Sequence, residues 1–317
     1  MKTSKIFYKD ISAIEAETER LVVTFLPEYG GKCASIKDKK SGREFLSQAP
    51  GEHYKKLVYD GDYVAAECSG FDDMFPTIDK YYYDRYPWQG VPVPDHGEVC
   101  GLEWKYETKK GVLRMWTHSP RFGYKFEKTV SEIKDGIAID YLVTNNTQFT
   151  LDFVYAAHCM VAAETGGIIA LPGVADGEKA TMVFSSDGKR GRYGSSFVWR
   201  KKAKDIVVTP GPVKKRGGLS KAEAFKFFFD APCTGGCCEY CYPDGVVLSL
   251  AYSADKLPYL GIWINRYDLH DLCNVAFEPS SGTFDRPDAA RMRGQFSALK
   301  PYGNYDWNIS FTVKSNR

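Results

Sequence analysis

Short stretches of this chain either alternate apolar with polar residues or run together apolar, β-branched residues. They fall at residues 21–26, 136–143, 245–252, 259–264 and 308–313. Runs this short, bounded by turn-forming residues, predict strands rather than helices. Lys134-Asp135-Gly136 predicts a hairpin turn between strands at 126–133 and 137–143, and Asp38-Lys39-Lys40-Ser41-Gly42 predicts another. In each, the Gly is expected to supply the positive φ that the turn needs. Helical signals are few. Residues 221–229 suit a helix by composition and a strand by their Phe-rich end, and residues 288–293 suit a single helical turn. There is no internal repeat and no linker. The pattern predicts an all-β chain, 1–317 as one domain, with large antiparallel sheets layered as a sandwich and few short helices.

Composition strengthens this reading. Aromatic residues make up 15% of the 317 positions, with 21 Tyr and 19 Phe, and there are 29 Gly. Such a balance favours strands joined by many turns. Hydrophobic residues reach 44%, enough for a sizeable core, whereas the formal net charge is only +2. Neither nucleic acid nor an anionic membrane is expected as an electrostatic partner. The runs Arg200-Lys201-Lys202 and Lys214-Lys215-Arg216 read as solvated loops. The N-terminus has basic residues but no apolar stretch behind them, and no apolar run reaches membrane-spanning length. The expected compartment is the cytoplasm. No GxGxxG follows a strand and no P-loop occurs, so a nucleotide is not expected.

There are nine cysteines. Four of them, Cys233, Cys237, Cys238 and Cys241, crowd one Gly-rich stretch. They could hold a metal as thiolates or could simply decorate a surface hairpin. Zinc ligands usually come as two separated pairs, and no second pair follows, so reduced, metal-free thiols are the expectation.

Candidate chemistry centres on a few polar residues. His96 lies in Pro92-Val93-Pro94-Asp95-His96-Gly97-Glu98, where Pro ends a strand and Gly97 lets the backbone pass close to something. His158 ends the apolar stretch Phe153-Val154-Tyr155-Ala156-Ala157, which fixes an imidazole beside the core. Either His, taken alone, could be a hydrogen-bonded structural residue. Glu278 follows Asn274-Val275-Ala276-Phe277 and precedes Pro279. A carboxylate there is costly unless paired or functional, and Pro279 is expected to end the ladder so that Glu278 projects from a sheet end. Backbone N–H groups could equally satisfy it. In Gly70-Phe71-Asp72-Asp73-Met74, neighbouring acids on a strand face opposite sides. Asp73 is the one expected in the site, with Asp72 a turn residue.

Taken in order along nearly the whole chain, these segments resemble the aldose 1-epimerase, or galactose mutarotase, family. The resemblance begins at Leu26-Pro27-Glu28-Tyr29-Gly30-Gly31-Lys32 and the Asp38–Gly42 hairpin. Pro94-Asp95-His96-Gly97-Glu98 is similar to the family's first His motif. Asn145-Asn146-Thr147 and Leu151-Asp152-Phe153, leading to Ala157-His158, are similar to its second. Leu257-Pro258-Tyr259-Leu260-Gly261-Ile262-Trp263 and Glu278-Pro279-Ser280-Ser281-Gly282 resemble its Trp and Glu-Pro segments, and Leu299-Lys300-Pro301-Tyr302-Gly303 with Trp307 its closing strands. The resemblance implies a galactose-mutarotase-like β-supersandwich with an open cleft on one sheet. It implies Glu278 as base on the anomeric hydroxyl, His158 as acid on the ring oxygen, and His96 as a sugar ligand, with neither metal nor organic cofactor. Trp263 could stack on the sugar, or fill the core. Better-known members carry an Arg where this chain has Asp72 and Asp73, which points to a free aldose rather than a sugar phosphate. Asp230 and Asp255 are candidates for a further substrate contact. The expected activity is interconversion of the α and β anomers of a monosaccharide. A non-catalytic sugar-binding protein on the same fold is the alternative, and a lyase or hydrolase, which would need a second carboxylate, ranks last.

Overall fold

The computed structural model describes residues 1–199 and 222–315. The two basic runs, at 200–202 and 214–216, lie outside the described residues. Two large sheets make the body of the protein. One has eleven strands, in the spatial order Lys2–Tyr8, Ile11–Glu17, Leu21–Leu26, Lys32–Asp38, Phe71–Met74, Ala156–Ala162, Cys273–Ser280, Tyr259–Arg266, Glu223–Phe229, Lys179–Ser185 and Ser196–Val198. The other has eight: Ile168–Ala170, Cys237–Cys241, Val246–Tyr252, Asn304–Ser315, Gly136–Asn145, Tyr124–Ile133, Val112–His118 and Lys105–Lys109. Neighbouring strands in both sheets pair antiparallel. Among the described residues, helix is confined to Pro287–Met292 and a 3-10 turn at Val99–Gly101.

The five stretches read as strands from their apolar pattern are strands, each to within a few residues of the expected bounds. The ambiguous segment at 221–229 is a strand over Glu223–Phe229. Alternation decides this: Phe225, Phe227 and Phe229 all enter the core between the sheets, which a helical period could not arrange. The eight-stranded sheet supplies the facing layer, with its Phe311 against Phe71 at 5.7 Å between ring centroids, and with Trp307 and Phe126, on two strands of that same layer, also 5.7 Å apart. Aromatic pairs at these separations add to simple burial.

Turn chemistry follows expectation at one hairpin and departs from it at the other. Gly42 has φ +72° as expected. At the second turn the positive φ falls on Asp135 (58°), not on Gly136. Asp tolerates this region better than most side chains. Gly136 is required for space instead, because a Cβ there would sit 1.9 Å from the Phe311 carbonyl oxygen.

The Cys-rich segment is built into the eight-stranded sheet. Cys238 points into the core, while Cys237 and Cys241 share the other face of the strand and are half-buried there. All nine cysteines are unpaired, and no group of three or more metal-ligating side chains occurs among the described residues. No helix among those residues is long and apolar enough to cross a membrane.

Candidate functional site

Alternation along the middle of the large sheet sorts side chains into two environments. On five adjacent strands, Phe71, Ala157, Cys159, Val161, Val275, Phe277, Ile262, Ile264, Phe225 and Phe227 belong to the core between the sheets. The intervening residues face away from it. Asp72 lies opposite His158, and Gly261 opposite Glu278. The register set by Ala156 with Ser280 and Cys159 with Phe277 places His158 opposite Glu278. Asp72, His158, Glu278 and Gly261 therefore form one row across four strands. A Cβ on Gly261 would come within 3.3 Å of Glu278 Cβ and 3.0 Å of the Phe228 ring, so glycine leaves the carboxylate its room.

This face opens into a cavity of about 390 Å³. His96, His158, Glu278, Lys226 and Asp285 line it as one contiguous polar group. Met160, Val183, Phe184, Trp263, Leu269 and Leu272 supply apolar wall. Six buried polar atoms without a hydrogen bond of good geometry belong to residues lining this cavity: His96 Nδ1, His270 Nε2, Asn274 Oδ1, both oxygens of Glu278 and Asp285 Oδ1. Buried polar groups in native proteins are nearly all satisfied, so a cluster of exceptions around one cavity points to a polar ligand.

Glu278 is wholly buried. The Lys226 ammonium lies 2.6 Å from its Oε2 and 2.8 Å from Asp285 Oδ1, as ion pairs whose angles fall short of hydrogen bonding. Burial pushes the Glu278 carboxyl above the usual range, and Lys226 only partly offsets this. Burial also opposes the charge on Lys226, but Asp285 and Glu278 together outweigh it and hold the ammonium ionised. Pro279 does not end the ladder as expected: the strand runs on to Ser280, paired with Tyr259, so Glu278 sits inside the sheet rather than at its end.

His158 Nε2 is 3.7 Å from Glu278 Oε1, too far for a hydrogen bond and close enough for both to reach adjoining atoms of one ligand. Burial, then the charges of His96, Lys226 and Lys32, push the imidazole well below its ordinary value. On its other side Nδ1 meets the Tyr63 hydroxyl at 3.3 Å. Tyr63 donates to Asp72 Oδ2 at 2.8 Å, and Lys32 reaches the same oxygen at 2.6 Å.

His96 is carried by a loop held tightly against the sheet. Its backbone has φ 61° and donates to Ile78 O at 2.6 Å. Gly97, at φ 77°, passes so near Phe75 that a Cβ would lie 2.3 Å from the Phe75 carbonyl oxygen. The imidazole stacks on the Tyr63 ring at 3.6 Å and meets His158 edge-on at 5.7 Å.

The structure thus brings His96, His158, Glu278 and Trp263 to one cavity. Asp73 is elsewhere. It faces the core, where Lys128 Nζ lies 2.8 Å from Oδ2 and the Tyr155 hydroxyl donates to Oδ1 at 2.8 Å, all three side chains being buried. The acid on the site face is Asp72. Alternation correctly allows only one of the two, but the register with the Ala156–Ala162 strand decides which, and no local signal carries that. Asp230 and Asp255 do not line the cavity either. Sequence reasoning missed Tyr63, Lys226, Asp285 and His270. Lys226 had a signal: a lone cation in the Phe225–Phe229 run must find a buried partner.

No protein-family model matches the chain, and no curated protein does. Solved structures do. A galactose mutarotase related enzyme from Lactobacillus acidophilus superposes with a TM-score of 0.67 over 96% of this chain and 97% of its own, at 14% identity. A galactose mutarotase-like protein from Clostridium acetobutylicum gives 0.67 over 99% of both chains, also at 14% identity. A protein from Escherichia coli K12 put forward as an aldose 1-epimerase gives 0.65 at 16% identity, over 95% of this chain and 98% of its own. The chain has the galactose-mutarotase-like fold, with its large antiparallel sheets and few helices. At these identities the likeness defines the architecture, and the chemistry has to be argued from the site.

Proposed function

We propose that the protein is an isomerase of the aldose 1-epimerase kind, interconverting the anomers of a free aldose. The observation that carries this reading is the row of His158 and Glu278 facing one cavity 3.7 Å apart, with His96 beside them. Ring opening needs a proton taken from the C1 hydroxyl while another arrives at the ring oxygen. Glu278 takes the first, the bond between C1 and the ring oxygen breaks, and His158 Nε2 gives the second. The open-chain aldehyde turns about C1–C2, and the same two protons return in reverse to close the other anomer. The pair holds one exchangeable proton: it starts on His158 Nε2, as the imidazolium beside an ionised Glu278, and ends on Glu278 beside a neutral imidazole, so side chains alone balance every step.

The perturbed acidities suit these roles. A carboxylate pushed up by burial is a stronger base, and an imidazolium pushed down by burial is a stronger acid. Each transfer is therefore less uphill than it would be for the same groups in water. Lys226 keeps a fixed positive charge on the far side of Glu278, so the carboxylate can still ionise. His96, whose Nδ1 lies 3.2 Å from Asp95 Oδ1, lines the cavity as the candidate ligand for ring hydroxyls, and Trp263 offers an apolar face to sugar C–H groups. The cation nearest the reacting end is already shared between two carboxylates, which favours an uncharged sugar.

Polarimetry tests the reading. Freshly dissolved α-glucose or α-galactose should reach anomeric equilibrium faster with the protein than without. A protein that binds an aldose but accelerates none of them is a sugar-binding module instead.

A further inference from the structure

Two polar networks meet at His158, and the mechanism above uses only the one through Glu278. The other is buried and reaches back to Lys32. Tyr63, Asp72 and Lys32 are each at least nine-tenths buried. Lys32 is a cation with three protons to donate. They go to the Glu67 carbonyl at 3.1 Å, the Ser69 carbonyl and Asp72 Oδ2 at 2.6 Å. Burial opposes its charge and Asp72 outweighs the burial, so Lys32 stays ionised. Asp72 next to it is an acceptor only. The Tyr63 hydroxyl, whose ionisation burial and Asp72 both oppose, has a single proton, and it points at Asp72 Oδ2 over 2.8 Å.

That leaves the Tyr63 oxygen only lone pairs to offer His158 Nδ1 at 3.3 Å. We infer that Tyr63 is a positioning residue which fixes the tautomer of His158: the neutral imidazole carries its proton on Nδ1, directed at Tyr63, so that Nε2 is the nitrogen that takes up the working proton to form the acid and is bare once that proton is given. The choice of tautomer begins at Lys32 and passes through Asp72 and Tyr63 as a series of oriented donors. Every proton that His158 exchanges with a ligand then passes through Nε2, the nitrogen 3.7 Å from Glu278. The partner of the second nitrogen sets which nitrogen works in many histidine sites. Tyr63 has a second task on the same ring: its face stacks on His96, so one side chain registers both imidazoles. This inference rests on the proposed mechanism only for its kinetic consequence.

The test has two arms. In the first, protein labelled with 15N-histidine is observed by long-range 1H–15N correlation near pH 8, where His158 is neutral. Wild-type His158 should show the Nδ1–H pattern, and Tyr63→Phe should lose it in favour of Nε2–H or a mixture. An Nε2–H pattern in the wild type overturns the inference without any variant. So does an Nδ1–H pattern that persists unchanged in a folded Tyr63→Phe protein. In the second arm, kcat for anomer exchange should fall at least tenfold in Tyr63→Phe while KM changes less than twofold, because the ring still stacks on His96. An unchanged kcat overturns the kinetic role of the tautomer. If the wild type exchanges no aldose, the proposed function fails, and the first arm still decides the inference.

Discussion

Replacing Glu278 by Gln should make the protein more stable and nearly inactive at the same time. The side chain is wholly buried, and both its oxygens lack a hydrogen bond of good geometry. Burial raises its pKa more than Lys226 lowers it, so the charged carboxylate is disfavoured relative to a neutral group of the same shape. Gln is that neutral group. Its amide oxygen can face Lys226, and its NH2 can face the bare Nε2 of His158. Lys226 is not stranded by the change, because Asp285 contributes more than Glu278 to holding it ionised. A group with a raised pKa in the folded state binds protons there that the unfolded chain has already lost. Its stabilising contribution is complete below about pH 4.5, the ordinary Glu value, and declines as pH rises through the folded value. The stability gained by Glu278→Gln is therefore absent near pH 4 and grows towards pH 8. Every tenfold weakening of the folded-state acid corresponds to about 1.4 kcal/mol. In a chain of this size that is about 2 °C or slightly more in Tm. The activity moves the other way. Losing a general base removes at least about 10²-fold from the chemical step, roughly 2.7 kcal/mol of transition-state stabilisation. The loss should fall on kcat, since the base acts in the transition state. Melting curves from pH 4 to 8, set beside polarimetry, test both halves. A Tm that falls at pH 8, or a gain that is the same at pH 4, refutes the buried-charge argument. A kcat within threefold of wild type refutes the base.

Further expectations follow from the same geometry. His158→Asn should lose kcat by a similar factor, whereas His96→Asn should also raise KM, because the role proposed for His96 is to bind the ligand from the loop side; equal KM values in the two variants would contradict this, as read by initial rates of anomer exchange. Asp73→Asn should cost about 3–5 kcal/mol of stability, read as a lower Tm, since it leaves Lys128 without its charge partner in the core; KM of the remaining folded protein should not move, and a rise in KM would return Asp73 to the site. His270→Ala should raise KM with little change in kcat, because its Nε2 is buried at the cavity without a partner; isothermal titration with the aldose that proves active would show unaltered affinity if the contact is absent.

Strand content was legible because side-chain period is a local property. The run Leu21–Leu26 and the stretch beginning at Tyr259 declare themselves by which residues alternate. What local pattern cannot carry is register. Asp72 and Asp73 are chemically identical neighbours, and only the pairing of Asp72 with His158 across strands far apart in sequence settles which one meets the cavity. The same limit hid the true setting of Glu278. Pro279 looks like a strand end from its missing N–H, yet the strand continues because Tyr259 pairs with Ser280 beyond it. Tyr63 was invisible for another reason. It lies in an irregular stretch between the strands ending at Asp38 and beginning at Phe71, where no period exists to read. His96 and His158 were legible because their local settings were unusual: one beside Gly97 and the Pro-rich turn, the other closing an apolar strand.

The cost of this site argues that its charges are there for more than stability. Lys32 with Asp72, and Lys226 with Glu278 and Asp285, are two ion-paired clusters on the same sheet face, and His158 stands between them. Buried ion pairs contribute little net stability, and well-packed apolar residues would often do better. The other face of the same strands shows what such packing looks like: Phe71, Cys159, Phe277, Ile262 and Phe227 fill it, with Asp73, paired to Lys128, as the charged exception. A face needed only to finish the fold could have been polar and solvated, or apolar and covered. Here Lys32, Asp72, Lys226 and Glu278 are buried, Lys32 held from the neighbouring strand and Lys226 from the next strand but one and from Asp285 in the loop beyond, and unsatisfied atoms remain only where the cavity begins. Each cluster also acts on a different atom of the pair that faces the ligand, Lys226 on the Glu278 carboxylate and Lys32, through Asp72 and Tyr63, on His158 Nδ1. Electrostatic preorganisation has this form: dipoles and charges fixed before the ligand arrives, in a setting where water cannot rearrange to supply them. The sheet contributes the rigidity, since a row of four residues across four paired strands cannot shift one member without breaking the ladder on either side.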